Sequence, residues 1–281
     1  MSRVLKKIFL FLCYNNSMAR LKKILDDKRD KIAFLGTGGA RFTMITQIRA
    51  TAGIWMSINQ TRLYLDPGPG ALVWARRRGI NLEKLDGIIL SHKHLDHSGD
   101  INVMIEAMTH GGRKKKGIVF APHDALDKDP VILQYLRNYP EKIEILKENN
   151  TYTIGNITFS TGKKMYHDKD HLIENYGIKI LYKDSIISFV TDTKFDEEII
   201  KSYKGNLMIL NVLLNESKPH IFHLSLLDVY KIIEIAHPEK VILTHFGTTL
   251  ATQNPENFIK KISEKTNIEA IAAYDGMEYY L

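Results

Sequence analysis

One cysteine, Cys13, occurs in 281 residues, so no internal disulfide can form. So few thiols suit a reducing compartment, and a cytoplasmic location is expected. Long apolar runs are missing too. Stretches such as Ile8–Tyr14 fall well short of the roughly 18 residues a membrane-spanning helix needs, which excludes a span. No Gly-Lys-Ser/Thr phosphate loop is present, so nucleoside triphosphate hydrolysis by that route is out. Gly36-Thr37-Gly38-Gly39-Ala40-Arg41 is not a dinucleotide fingerprint either, because Arg41 stands at the third glycine position; a tight turn that lets backbone approach a site is the better reading. Proline-rich linkers and internal repeats are absent as well, and one main domain is the simplest organisation. What is there is ordinary globular composition, 44% hydrophobic and 25% charged, which excludes fibrous and disordered classes.

The net charge of +7 is unevenly spread. Met1–Asp30 carries eight basic and three acidic side chains, leaving the body at +2. A polyanion-binding body would need a concentrated patch, for which Arg76–Arg78 and Arg113–Lys116 are the candidates; solvated surface is the plainer account of both. The basic start followed by Ile8–Cys13 resembles a signal peptide, but no small-residue cleavage site follows it. A basic N-terminal extension over residues 1–30, with Met18 as an alternative start, ahead of a domain over 31–281, is expected.

From Lys31 onward strands alternate with helices. Lys31–Leu35 is a short apolar run ended by Gly36, and Ile54–Ile58 with Thr61–Leu65 form a hairpin around Asn59 and Gln60. A helix follows the glycines at 68 and 70, over Ala71–Arg78, and Gly87–Leu90 is a buried strand. Ile118–Ala121, Ile143–Leu146, Tyr152–Ser160 (turning at Gly155 and Asn156), Tyr176–Tyr182, Ser185–Val190, Asn206–Val212, Lys240–Thr244 and Ile268–Ala273 complete the strands. Leu226–Ala236, with a Ser225/Asp228 capping box, and Pro255–Glu264, with Asn254 as N-cap, are helices. Such a mixture suits sheets covered by helices, an α/β (α+β) layered fold.

The most informative stretch is Ser91-His92-Lys93-His94-Leu95-Asp96-His97, directly after a strand. A polar surface loop accounts for any one of its histidines, but not for three imidazoles and a carboxylate within six residues. Such groups are costly to bury unpaired and are common ligands of borderline metals. In extended chain alternate residues share a side, so His92 and His94 can approach one ion while a turn presents Asp96 and His97 to another. Two divalent ions on one loop can activate water and hold an anionic substrate.

This segment matches the H-x-H-x-D-H signature of the metallo-β-lactamase superfamily, which the chain resembles from Lys31 to its C-terminus. The resemblance implies a four-layer αββα sandwich with metal loops at one edge of the paired sheets. It also implies that one ion takes His92, His94 and His171, the other takes Asp96, His97 and His245, and Asp192 bridges them, with Asp66 orienting ligands from behind. His167, four residues before His171, is the competing third-motif ligand; the Tyr176-Gly177 spacing favours His171. Zinc is the expected metal, with manganese or iron as alternatives.

Leu35–Ala40 and His223-Leu224-Ser225 are similar to the ribonuclease Z branch and its phosphodiesterase relatives. There the histidine matching His223 contacts the scissile phosphate and assists the leaving oxygen; His220 is a weaker competitor. Two departures argue against tRNA 3′-end processing. Only 21 positions separate His171 from Asp192, too few for a tRNA-gripping arm, and Leu210-Asn211-Val212-Leu213 replaces the segment whose glutamate supports the catalytic histidine. The expected activity is therefore hydrolysis of a small or cyclic phosphodiester by a water activated between the two ions, with Asp96 holding it in line and His223 stabilising charge and supplying a proton. Ribonuclease Z-type cleavage is the alternative, and a non-catalytic nucleic-acid-binding protein a minor one. A glyoxalase II-type thioesterase is disfavoured because only 36 residues follow His245. A homodimer is expected by family analogy alone.

Overall fold

The computed structural model describes residues 29–168 and 173–281, so the extension read at residues 1–30 lies almost wholly outside the described residues. In chain order the strands are β1 (Lys31–Phe34), β2 (Ile54–Ile58), β3 (Thr61–Leu65), β4 (Gly87–Ile89), β5 (Ile118–Ala121), β6 (Lys142–Ile145), β7 (Thr151–Ile154), β8 (Ile157–Ser160), β9 (Ile178–Tyr182), β10 (Ser185–Val190), β11 (Leu207–Leu214), β12 (Leu224–Ser225), β13 (Lys240–Thr244), β14 (Glu269–Ala272) and β15 (Met277–Tyr280). They form a seven-stranded sheet, β15-β1-β2-β3-β4-β5-β6, and an eight-stranded sheet, β14-β13-β11-β10-β9-β8-β7, with β12 beside β11.

Local chemistry accounts for the hairpins. Asn59 and Gln60 both adopt positive φ, 47° and 65°, the two-residue turn that matches strand twist and so sets the β2–β3 register. Each sheet has two apolar faces. Ile32, Phe34, Leu63 and Phe120 of the first sheet pack against Phe159, Ile178, Phe189 and Ile209 of the second, forming the central core. The outer face of the first sheet is covered by the helices Ala71–Arg77 and Ile101–Thr109, through Ala75, Ile101, Met104, Ile105 and Met108. The outer face of the second is covered by Glu197–Ser202, Leu226–Ala236 and Pro255–Thr266. The order is helix, sheet, sheet, helix, the expected αββα sandwich.

The Ser225 cap is a complete capping box: its hydroxyl accepts from the Asp228 N–H, and Asp228 accepts from the Ser225 N–H at 3.0 Å. The helices Ala40–Thr46, Leu95–Ser98, Ile101–Thr109, Glu197–Ser202 and Thr248–Thr252, and strand β15, extend the elements expected from sequence. Of these, Ile101–Thr109 carries a readable signal, since its buried Ile101, Met104, Ile105 and Met108 fall at helical spacing. The two basic runs serve structure or solvent. Arg78 donates to the Gly276 carbonyl at 2.9 Å, Lys116 donates to the Glu83 carbonyl at 2.7 Å, and Arg113, Lys114 and Lys115 are exposed. No helix among the described residues is long and apolar enough to cross a membrane.

Parallel pairing decides where the polar residues gather. Strands β3, β4 and β5 run parallel, as do β10, β11 and β13. Their C-terminal ends lie at one edge of the molecule, and Asp66, Ser91–His97, Asp192 and His245 follow β3, β4, β10 and β13 there. In open sheets of this kind the carboxyl ends of strands are where ligands bind.

Candidate metal centre

Asp66 holds the centre from below. Its Oδ1 accepts from the Ser91 N–H at 2.7 Å, and its Oδ2 accepts from the Ser91 hydroxyl at 2.7 Å and from His97 Nδ1 at 2.9 Å. With Nδ1–H given to a carboxylate, His97 turns Nε2 inward, where it is a lone pair once a cation takes the place of the ring's second proton. Ser91 has donated its only hydroxyl proton, so it accepts from His92 Nδ1 at 3.0 Å, and His92 Nε2 also faces inward bare. His167 is set the same way by the Phe222 carbonyl, 3.3 Å from its Nδ1.

The inward atoms converge in two groups. His92 Nε2 and His94 Nδ1 lie 3.2 Å apart, and His167 Nε2 lies 2.6 Å from His94 Nδ1. In the second group His97 Nε2 is 3.0 Å from His245 Nε2 and 3.2 Å from Asp192 Oδ2. His245 Nε2 lies 3.2 Å from Asp192 Oδ1 and 3.3 Å from Asp96 Oδ2. Asp192 stands between the groups, its Oδ2 also 3.9 Å from His92 Nε2 and 3.8 Å from His167 Nε2. His223 Nδ1, 3.7 Å from the same oxygen, is buried and without a hydrogen-bond partner among the described residues, as is His245 Nδ1. The His92–His94–His167 and Asp96–His97–Asp192–His245 sets can each hold a metal ion, and His167, Asp192 and His223 form a third such grouping.

The donors fit cations on chemical grounds. With Nδ1–H of His92 and His167 engaged outward, both rings present Nε2 lone pairs toward Nδ1 of His94. Imidazole with carboxylate is the donor set that zinc and its neighbours accept. Protonation follows the same logic. Burial holds His92 well below the usual histidine range, lowers His94 to about 4 and His223 to about 3, and lowers His167, so these rings are neutral. For His97 burial also opposes charge, but Asp192, Asp96 and Asp66 outweigh it and push the ring well above its ordinary value. Asp192 and Asp96 stay ionised despite their burial, because of His245 and His97 for the first and His97 and His245 for the second. Carboxylates that favour a proton on His97 equally favour a metal cation in its place.

Further residues complete the frame. The Ala40 N–H donates to Asp96 Oδ2 at 2.7 Å, and Asn211 Nδ2 donates to Asp192 Oδ1 at 2.8 Å. Asn175 donates from Nδ2 to the Asp192 carbonyl. Gly39 lies flat against His245, where a Cβ would sit 2.1 Å from the ring, and the neighbouring Gly38 bridges Phe246. The Gly36–Ala40 turn thus brings backbone to the site, as expected. It is tied down by Asp275, which accepts from the Thr37 N–H, the Thr37 hydroxyl and the Ala50 N–H at 2.7–2.8 Å. Ser91, Asn175, Asn211 and Asp275 carry no local signal of these roles, since their partners lie up to 238 positions away.

Of the residues singled out from sequence, His92, His94, Asp96, His97, Asp192 and His245 meet at one place, with Asp66 beneath and His223 beside them. His167 holds the position expected for His171 next to His94, and His171 lies outside the described residues. A cleft of about 660 Å³ opens over the centre, lined by residues of the helix Ala40–Thr46, by Leu95 and by Leu213 and residues 220–223. His220 lines its exposed rim. Residues 113–116 do not line it.

A family model described as the beta-lactamase superfamily domain matches residues 61–246, and the chain belongs to the metallo-β-lactamase superfamily, whose members are mainly metal-dependent hydrolases. Among relatives, an uncharacterised protein of Methanocaldococcus jannaschii is 28% identical over 90% of this chain and 96% of its own length. A ribonuclease Z of Thermoplasma acidophilum is 28% identical over 47% of this chain and 43% of its own. A cAMP/cGMP-dependent 3′,5′-cAMP/cGMP phosphodiesterase B of Dictyostelium discoideum is 25% identical over 88% of this chain, which spans 22% of that protein. The fold is shared with the metallo-beta-lactamase fold protein YhfI from Bacillus subtilis (TM-score 0.74, 20% identity, 90% of this chain and 100% of that one). It is shared too with a diphosphatase of the PhnP family (TM-score 0.66, 18% identity, 90% and 97%).

Proposed function

We propose that the protein is a binuclear metal-dependent phosphodiesterase acting on a small or cyclic phosphodiester. One observation carries the reading: two groups of inward-facing nitrogen and oxygen donors share Asp192 at the floor of a small-molecule-sized cleft that also presents His223. His92, His94 and His167 would hold one ion, Asp96, His97 and His245 the other, and Asp192 would serve both, with zinc the metal that best suits the donors. When bound, such ions supply the Lewis acidity that makes water nucleophilic near neutral pH and offsets charge on a phosphoryl group.

The chain's own residues do the rest. Asp66 and Ser91 keep His97 and His92 in the tautomers that leave Nε2 free, and the Ala40 N–H holds Asp96 so that its carboxylate can orient the attacking water. His223, neutral in the free protein, contacts a phosphoryl oxygen; the anionic phosphate beside it opposes the effect of burial and favours the protonated ring, which then passes a proton to the departing alkoxide. The β9–β10 hairpin turns at Lys183-Asp184 between the third-motif histidine and Asp192, and it has no room for a tRNA-gripping arm. This supports a small substrate, as does the size of the cleft. The second reading, a ribonuclease Z-type endonuclease, draws on the ribonuclease Z relatives. A non-catalytic nucleic-acid-binding role fits poorly with a full donor set. A cytoplasmic location accords with the single cysteine.

The test joins metal analysis to a panel of bis(p-nitrophenyl) phosphate, cyclic nucleotides, 2′,3′-cyclic phosphates, precursor tRNA, a thioester and a β-lactam. Turnover of small diesters with about two ions per chain is expected. Cleavage of precursor tRNA with no activity on any small diester would replace this reading with the second.

A further inference from the structure

The substrate side of the cleft has features that neither folding nor metal binding requires. The helix Ala40–Thr46 buries only Thr43 and leaves Phe42 73% exposed, so this ring gains little from folding. Scattered exposed apolar residues are common, but Phe42 is not isolated. With Met44 and Leu95, itself 62% exposed, it forms an apolar wall at the mouth of a strongly polar centre. The cleft is lined as well by Ile221 and Phe222, with Lys194 Nζ 5.6 Å from the Phe222 ring centroid. Arg41 also lines the cleft; its guanidinium is exposed and makes no ion pair or side-chain hydrogen bond among the described residues.

We propose that the cleft selects a phosphoester whose organic group is a planar aromatic of nucleobase size, stacked on Phe42 while its phosphate reaches the centre. This rests on the phosphodiesterase reading and names the substrate class for it. Phe42 and Phe222 both line the cleft, and an aromatic ring suits a flat group, which a nucleobase of any sequence offers. About 660 Å³ is within the range that encloses a molecule of mononucleotide size. Arg41 at the rim can stack on such a base or meet a further anionic oxygen, as a guanidinium does well. The Phe42 ring offers no donor atom to a metal and no proton to the reaction, so it can set specificity without being part of the catalytic machinery.

The test is calorimetric binding of three phosphate monoesters to the metal-loaded full chain: AMP, ribose 5-phosphate and hexyl phosphate. AMP is expected to bind about 10- to 100-fold more tightly than ribose 5-phosphate, as one base stacked on one ring gives. Phe42→Ala should lose most of that ratio while its affinity for ribose 5-phosphate stays within about twofold, and Phe42→Trp should keep the ratio. A wild-type protein with no preference for AMP, a Phe42→Ala variant with the wild-type ratio, or hexyl phosphate binding as tightly as AMP would each overturn the assignment. Binding needs no turnover, so a base preference in a protein that cleaves none of the diesters would support this inference and remove the phosphodiesterase reading instead.

Discussion

One hydroxyl and one carboxylate set two imidazoles: Ser91 gives its proton to Asp66 and so can only accept from His92, while Asp66 takes the Nδ1 proton of His97. Asp66→Asn breaks this chain, because an amide cannot accept from all three donors without losing a carboxylate oxygen. Metal affinity is expected to fall about 10- to 100-fold, as for other ligand-orienting carboxylates, measured by competition with a chromophoric chelator. An unchanged affinity would mean that His97 is oriented by something else. His94→Ala removes the donor nearest His167 and should cost at least one ion and nearly all hydrolysis, with far-UV circular dichroism unaltered. His223→Ala should keep its metal, since the two main donor groups stay complete, but lower kcat on bis(p-nitrophenyl) phosphate by about 10²- to 10⁴-fold. Equal rates in the two proteins would take His223 out of the reaction.

Among elements, the glycine turn before the helix Ala40–Thr46 is the most exacting. Gly39 has extended backbone, φ −146°, so any residue could adopt its conformation; what it lacks is space, with His245 where a Cβ would go. Gly39→Ala is therefore expected to displace the His245 ring and lower metal content at unchanged secondary structure, checked by metal analysis after dialysis. The helix Leu226–Ala236 offers a contrasting case. Its capping box lies next to His223, but the box satisfies backbone groups and touches no inward-facing donor. Ser225→Ala should lower unfolding free energy by about 0.5–2 kcal/mol in denaturant titrations and leave metal stoichiometry as it was.

At the scale of the molecule, the centre joins loops that follow strands of both sheets, so ions bound there stabilise the packing of one sheet on the other. A ligand that binds only the folded state at 100 times its Kd adds about 2.7 kcal/mol, and each kcal/mol moves Tm by about 2–4 °C in a chain of this order of size. Chelation by EDTA is thus expected to lower Tm by about 5–11 °C, and His94→Ala should show a smaller shift. A wild-type Tm indifferent to chelator would argue that the clustered donors do not hold metal.

Patterns that depend on neighbours in the chain were open to reading without coordinates. Asn59-Gln60 sits between two apolar strand runs and Asn59 readily takes positive φ, Ser225 caps because Asp228 stands three residues on, and His92, His94, Asp96 and His97 point to metal chemistry by their spacing. A layered α/β (α+β) fold followed from the alternation of strands and helices, and the four-layer sandwich from the superfamily resemblance that the motif carries. Other features needed the folded chain. The meeting of His167 with His94 across 73 positions, the Asn211 amide on Asp192 and the hold of Asp275 on Thr37 depend on which strands lie parallel and where their ends fall. Short-range periodicity and capping carry no record of such pairings, because side chains far apart in sequence become partners only when burial of both sheet faces brings the strand ends to a common edge.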